Sequence, residues 1–426
     1  MDILNRKEIA PGIFISKITD SRFKQNRISV SFLTQLNEDK ASVNAVIPKI
    51  LTNSCRILPD LRLLNAKLSS LYAARLTGSA GSLGDTQEIG ISVKAIDSRY
   101  ALEQEDVIAE SLNILLNCIF DPLTEGDGFK SSVTENEKQA CIDQIEAELN
   151  DKRVYAVRKA SQLVCMGEPA AVFSHGTIEG VNAVTPESAY KAYLSLLKTA
   201  RVEIICVGCN DFAKVGDTFI KAFAGFEREK MEDCHSFPSP AKSDILNHIE
   251  KMDVNQSKMV LGFTSSSDDV DALSLMSKIY GGSATSKLFE NVREKMSLCY
   301  YCWSKFAVNK RIMLTECGVE KENIEKAKAE ILAQFEFMKK GAASDFTDIE
   351  MNQAVLSLQN DLKLVNDSLN GIKTWYMNQI YRCDIITPEN AIKRYEGVTR
   401  ERIVAAANSV KLDTIYVLTD GGDDNA

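Results

Sequence analysis

Lys278-Ile279-Tyr280-Gly281-Gly282-Ser283 closes a helical stretch at about 269–280, and Lys49-Ile50-Leu51-Thr52-Asn53-Ser54 closes a similar one at about 41–54. Each stretch follows a half-buried strand marked by alternating apolar residues, Met259, Leu261 and Phe263 before the later one and Ile28, Val30 and Phe32 before the earlier. A second echo follows the same order. Val184-Thr185-Pro186-Glu187 leads into a helix and a strand at about 202–208, and Val398-Thr399-Arg400-Glu401 leads into a helix and the strand Thr414-Ile415-Tyr416-Val417-Leu418. Both echoes repeat at about half the length of the chain, which is the mark of a duplicated domain and not of a short-period solenoid.

Working outward, Leu61, Leu64, Leu68 and Leu71 keep helical spacing over about 60–74, and Ile89, Ile91 and Val93 form another alternating strand. Helices are predicted at about 104–120 and 134–160, the second opened by Thr134 as cap with Glu137 three residues on. Thr185 followed by Pro186 is a further helix start, because proline at the first helical position lacks only a hydrogen that has no partner there. The stretch Glu227 to Lys242 is charged, carries Pro238 and Pro240 and has no periodicity. It sets the expected organisation: a first domain at 1–226, a linker at 227–245 and a second domain at 246–426. Each domain is predicted to be α+β, a largely antiparallel sheet with helices packed on one face, and two such halves can face each other across a cleft. A chain of 426 residues is long enough for two cores.

A net charge of −9 opposes nucleic acid, whose binding depends on Lys and Arg displacing counterions. No apolar run approaches the length needed to span a bilayer, and Met1 to Glu8 mix both charges without the apolar core of a secretory signal, so a cytoplasmic protein is expected. The 11 cysteines are odd in number and scattered, and are read as reduced thiols. Two Cys-x-x-Cys pairs, Cys206/Cys209 and Cys299/Cys302, lie in strand-like sequence, where residues three apart point to opposite faces. They are read as small core residues and not as metal ligands. The acidic end Asp420 to Asp424 is read as frayed and His175, beside Gly176, as a loop or capping residue.

The segment Gly281-Gly282-Ser283-Ala284-Thr285-Ser286-Lys287-Leu288-Phe289-Glu290-Asn291-Val292-Arg293-Glu294-Lys295 closely resembles the Gly-Gly, Leu-Phe, Val-Arg-Glu-Lys motif in the C-terminal domain of insulinase-type peptidases, the family of pitrilysin and the mitochondrial processing peptidase. Ser174-His175-Gly176-Thr177-Ile178-Glu179-Gly180, before the Thr185 helix, resembles the family's His/Gly-rich stretch. The resemblance implies a clam of two homologous domains and a zinc hydrolase with His-x-x-Glu-His on its first long helix, both His on one face to hold zinc and the Glu to activate water. This sequence has no such motif. His175, His235 and His248 are its only histidines, and matching the family's helix to Val43–Ser54 puts Ala45 and Lys49 at the two His and Pro48 at the Glu. The family's later Glu pair, whose second member is the remaining ligand, matches Glu137 and Gln144, and a neutral amide is a poor zinc ligand. No metal and no other cofactor are expected.

The resemblance also implies a substrate-binding Arg and, seven residues on, a Tyr. Arg293 and Tyr300 match, although the basic residue usual three positions after the Arg is Met296 here. Arg offers a fork of donors to a peptide carbonyl or carboxylate, and a Tyr hydroxyl can hold a developing oxyanion. A chain with this pair and without the zinc site is expected to be a pseudo-peptidase that does not hydrolyse peptides alone. It is expected to pair with a zinc-bearing paralogue as a heterodimer, or with itself, and to contribute Arg293 and Tyr300 to a peptide substrate. The alternative is a structural scaffold resembling the family's subunits in the respiratory cytochrome bc complex. A hydrolase with a new Cys nucleophile is disfavoured, because no His sits where it could activate one.

Overall fold

The computed structural model describes residues 4–231, 234–342 and 345–421. Met1 to Ile3 and the end of the acidic tail from Gly422 lie outside them. The chain forms two compact units, the first of Met1–Glu146, Val172–His235 and Asn366–Ile385, the second of Ala147–Ala171, Ser236–Val365 and Ile386–Ala426. Each unit thus follows one half of the sequence and also takes in a segment from the other half.

The first unit contains β1 (Lys7–Ala10), β2 (Ile13–Thr19), β3 (Gln25–Gln35), β4 (Arg75–Leu83), β5 (Thr86–Ile96), the short pair β6 (Thr124–Glu125) and β7 (Gly128–Phe129), and β8 (Arg201–Gly208). Its main sheet has the order β1-β2-β8-β3-β5-β4. The second unit contains β9 (Leu246–Met252), β10 (Ser257–Ser265), β11 (Cys299–Ala307), β12 (Ile312–Val319) and β13 (Val410–Asp420), ordered β11-β12-β10-β13-β9. Read in the same direction, β2-β8-β3-β5-β4 and β9-β13-β10-β12-β11 are one topology. In both sheets a parallel pair, β2 with β8 and β9 with β13, lies beside otherwise antiparallel strands. The duplication seen in the sequence is a duplication of this sheet.

Alternation along the strands sets which face is covered. In the first unit Ile28, Val30, Phe32, Ile89, Ile91 and Val93 are buried, and the helices Glu38–Leu51, Val107–Phe120 and Pro186–Thr199 pack on β3, β4 and β5. In the second unit Met259, Leu261 and Phe263 of β10 meet Leu273, Met276 and Tyr280 of the helix Val270–Gly281, with Ile331, Phe335 and Ile403 behind them. This is the expected α+β arrangement. The opposite face of each sheet carries one further helix, drawn from the other half of the sequence. Leu369–Tyr381 lays Ile372, Tyr376 and Ile380 over Leu33, Ile205 and Val207 in the first unit. Lys152–Val164 lays Tyr155, Ala156 and Ala160 over Val260, Tyr416 and Leu418 in the second. Gly262 permits that close approach, since a Cβ there would sit 2.3 Å from Cγ2 of Val164.

The helix predicted over 134–160 is two helices, Ser131–Asn150 and Lys152–Val164. Asp151 causes the break: its carboxylate accepts the backbone N–H of Arg153 and Val154, a cap that starts a new helix where helical periodicity runs on unchanged. Thr134 does not cap. It is buried in the first turn, its hydroxyl donating to the carbonyl of Lys130. The stretch between the halves is also more tied down than its composition suggests. Arg228 donates to the carbonyls of Leu197 and Ala200 within the first unit, and Lys242 pairs with Asp413 within the second.

Asp269 caps the helix Val270–Gly281 through the N–H of Ala272 at 3.1 Å and takes both arms of Arg402 at 2.8 Å. Asp269→Ala should lower the unfolding free energy by about 0.5–2 kcal/mol through the lost cap, the partly exposed ion pair adding little. The Arg402 hydrogen bond holds the Asp269 carboxyl below its ordinary value. Its contribution is therefore full above the unfolded-state value near pH 4 and is lost as pH falls through the lower folded-state value. Urea unfolding at neutral pH and at about pH 3 checks this; a wild-type advantage of equal size at both would exclude a role for the charge.

Candidate functional site

The matched zinc-site positions in the first unit fall on two helices that pack together, Glu38–Leu51 and Ser131–Asn150. Asn37 caps the first, and Ala45 and Pro48 on it are buried. The Sγ of Cys141 lies 3.8 Å from the carbonyl of Ala45, Lys49 Nζ donates to the carbonyl of Ala140 at 3.2 Å, and Asn53 donates to Glu137 at 2.8 Å. The Nε2 atoms of Gln144 and His175 are 3.1 Å apart, and the ring of His175 packs near Phe173. The structure thus brings Ala45, Lys49, Glu137 and Gln144 into one neighbourhood. It does not make a zinc site there: a methyl group, an ammonium already used as a donor and a neutral amide stand where three ligands are needed. Burial pushes the nearby Cys141 thiol up to about 11, so it is no substitute ligand of low pKa.

Arg293 and Tyr300, both in the second unit, line one open depression of about 460 Å³ with Glu294, Leu298, Cys299 and Glu320. Arg293 belongs to the π-helical turn Leu288–Lys295, a wound-out geometry frequent at functional positions. Its guanidinium lies over the ring of Phe289 and 3.5 Å from Glu294, leaving the side chain 40% exposed. Tyr300 is 62% exposed and donates to Glu320 at 2.8 Å. The acceptor raises the phenol above its ordinary pKa, so the hydroxyl keeps its proton. Glu320 has no counterpart in the sequence reading; its signal was its place directly after β12, the hairpin partner of the Tyr300 strand.

The expected geometry of Cys299 and Cys302 is corrected. In the pairing of β11 with β12, Cys299 stands opposite Val319, Tyr301 opposite Gly318 and Cys302 opposite Cys317, so two steps on β11 match one step on β12. Tyr300 is the extra residue of a β-bulge. The bulge breaks the period of two, turns Cys299 to the face of Cys302 and leaves Tyr300 pointing outward. The sulfurs of Cys299, Cys302 and Cys317 all lie within 4.8 Å of one another, the one such trio of possible metal donors among the described residues. Hydrogen bonds from Cys302 and Cys317 lower the pKa of Cys299, helped by the charge of Arg293, while Cys302 is raised in return. Cys206 is buried as read, its thiol pushed up to about 12 by burial, and Cys209 falls past the end of β8.

These features define a duplicated α+β scaffold in which the positions matched to a peptidase zinc site carry residues that cannot hold zinc. Residues 183–358 match the family described as Peptidase M16 inactive domain. Over 413 residues, 96% of both chains, the sequence is 28% identical to "Probable inactive metalloprotease YmfF" of Bacillus subtilis (strain 168). A conserved protein of Enterococcus faecalis V583 superposes with a TM-score of 0.91 at 23% identity, covering 100% of both chains. A peptidase M16 inactive domain from Pseudomonas fluorescens superposes with a TM-score of 0.76 at 14% identity, covering 98% of both. The chain is thus similar to insulinase-type, or M16, peptidases and to relatives described as inactive. No described helix is long and apolar enough to cross a membrane.

The isolated chain should release no fragments from a peptide library, and Ala45→His, Pro48→Glu and Lys49→His together should not change that, since Gln144 and the partners that orient ligands would still be wrong. Mass-spectrometric product analysis checks this. Hydrolysis by the unaltered chain that a chelator abolishes would overturn it.

Proposed function

We propose that this chain is the non-catalytic subunit of a peptide-cleaving pair, holding peptide with Arg293 and Tyr300 while a zinc-bearing paralogue performs the hydrolysis. The observation that carries the reading is the contrast between the two sites. The positions that would hold zinc are filled by Ala45, Lys49 and Gln144, whereas Arg293 and Tyr300 are exposed on one depression. A fork of donors beside a protonated hydroxyl suits a peptide carbonyl or terminal carboxylate. The small-residue strand β4, at one edge of the first unit's sheet, also suits an extended peptide, which can add to an open strand through main-chain hydrogen bonds.

The test mixes the purified chain with a family member that carries His-x-x-Glu-His, follows complex formation by gel filtration and compares peptide cleavage by the complex and by each chain alone. The reading expects a complex whose cleavage exceeds that of the zinc-bearing chain alone. A complex that forms but gains no activity would point to the scaffold role instead.

A further inference from the structure

We infer that Cys299, Cys302 and Cys317 form a binding site for one thiolate-seeking d10 cation, Zn2+ or Cu+, reached from the depression beside Cys299. The site is unrelated to the lost zinc site of the first unit and does not depend on peptide binding by Arg293 or Tyr300.

Three features converge. The bulge at Tyr300 is what places Cys299 and Cys302, three apart in sequence, on one face, and the strand register then delivers Cys317 directly opposite Cys302. The three sulfurs already lie within 4.8 Å of one another. Bonds of about 2.3 Å to a tetrahedral zinc set sulfurs roughly 3.8 Å apart, so closing on an ion needs only small side-chain rotations. Second, the surroundings are dry: Cys302 and Cys317 are 2% and 0% exposed and pack in the apolar core with Leu288, Val292 and Val319. A hydrophobic shell of this kind favours soft sulfur ligation and keeps competing water away. Third, Cys299 lines the open depression, which gives an ion a way in and leaves one side of the trio free for a small external ligand. Zinc would use that fourth position. Cu+ is satisfied by three thiolates in a plane.

A bound ion would clamp β11 to β12 across the bulge that projects Tyr300. The plain alternative is three core thiols packed for their size, and it predicts no metal affinity.

The experiment uses the full chain, purified reduced and without oxygen and stripped of metal. It is titrated with Zn2+ against a chromophoric zinc chelator, with Cu+ against a Cu+-selective chelator, and with Co2+ to detect thiolate-to-cobalt charge-transfer absorption. The expected result is one tight equivalent of Zn2+ or Cu+, the better competitor identifying the ion, with bound metal shielding Cys299, the accessible member of the trio, from alkylation as read by peptide mass spectrometry. Cys299→Ser, at the outer end of the trio, should lose the tight equivalent with an unchanged circular dichroism spectrum, while Cys206→Ser keeps it. Cys317→Ser should behave as Cys299→Ser, and if it fails to fold, the wild-type titration and Cys299→Ser still decide. No tight equivalent in the wild type, including an outcome in which only a Cys302–Cys317 disulfide forms, would overturn the assignment. So would binding that survives Cys299→Ser.

Discussion

If the proposed pairing holds, Tyr300→Phe in a complex with a zinc-bearing family member is expected to cut turnover by roughly 10²–10³-fold, the usual cost of removing one donor aimed at an oxyanion. The loss should appear in kcat, because a hydroxyl that acts on developing charge contributes little to binding the ground state. Arg293→Ala is expected to act mainly on KM, since a guanidinium that anchors a carbonyl or carboxylate holds substrate and transition state alike. Neither change should disturb the fold. Tyr300 projects from a bulge with its ring largely in solvent, and Arg293 lies 3.5 Å from the exposed Glu294 and over the face of Phe289. The decisive comparison sets each mutant complex, confirmed by gel filtration, against wild type on one peptide library. Equal activity in all mixtures would remove the functional pair and leave a scaffold.

Lys242→Ala is expected to destabilise the second unit by about 3–5 kcal/mol, the range seen when one partner is taken from a buried ion pair. Asp413 has no exposed side-chain surface, and Lys242 reaches its Oδ1 at 2.5 Å while also donating to the carbonyl of Val164 at 2.8 Å. Without the ammonium, the carboxylate keeps, among the described residues, the backbone N–H of Lys242 and the hydroxyl of Thr414, two neutral donors for a buried charge. Adding Asp413→Asn should recover much of the loss, because the amide leaves no charge to strand. Trp303 and Trp375 are the two tryptophans, so denaturant unfolding followed by fluorescence in a Trp375→Phe background reports on the second unit. A Lys242→Ala effect below about 1 kcal/mol would show the pair to be solvated.

The repeated sheet was legible because its central strands alternate cleanly and because the ends of the matching helices echo each other. The absence of a His-x-x-Glu-His motif was legible from histidine content alone, a property that no error of register can alter. What the sequence hid were departures from periodicity and choices of partner. Nothing in Leu298-Cys299-Tyr300-Tyr301-Cys302-Trp303 announces that Tyr300 is the unpaired residue, since bulges are set by the register of two strands together, and so the clustering of three sulfurs was invisible. The break at Asp151 was hidden because both neighbouring segments are helical, and only the cap separates them. Arg293 and Tyr300 could be matched by spacing, but their exposure and Glu320 as a neighbour required the hairpin to be seen.

The helix Leu369–Tyr381 completes the second face of a sheet whose strands are all made before residue 209. A ribosome therefore finishes most of the second unit's strands while Leu33, Ile205 and Val207 still lack their cover, and the first unit cannot close until synthesis is nearly over. The two halves are consequently not separable cassettes. A fragment ending in the stretch 227–245 would carry a bare apolar sheet face into solution, and a gene fusion or split at that point would sever the helix that covers it.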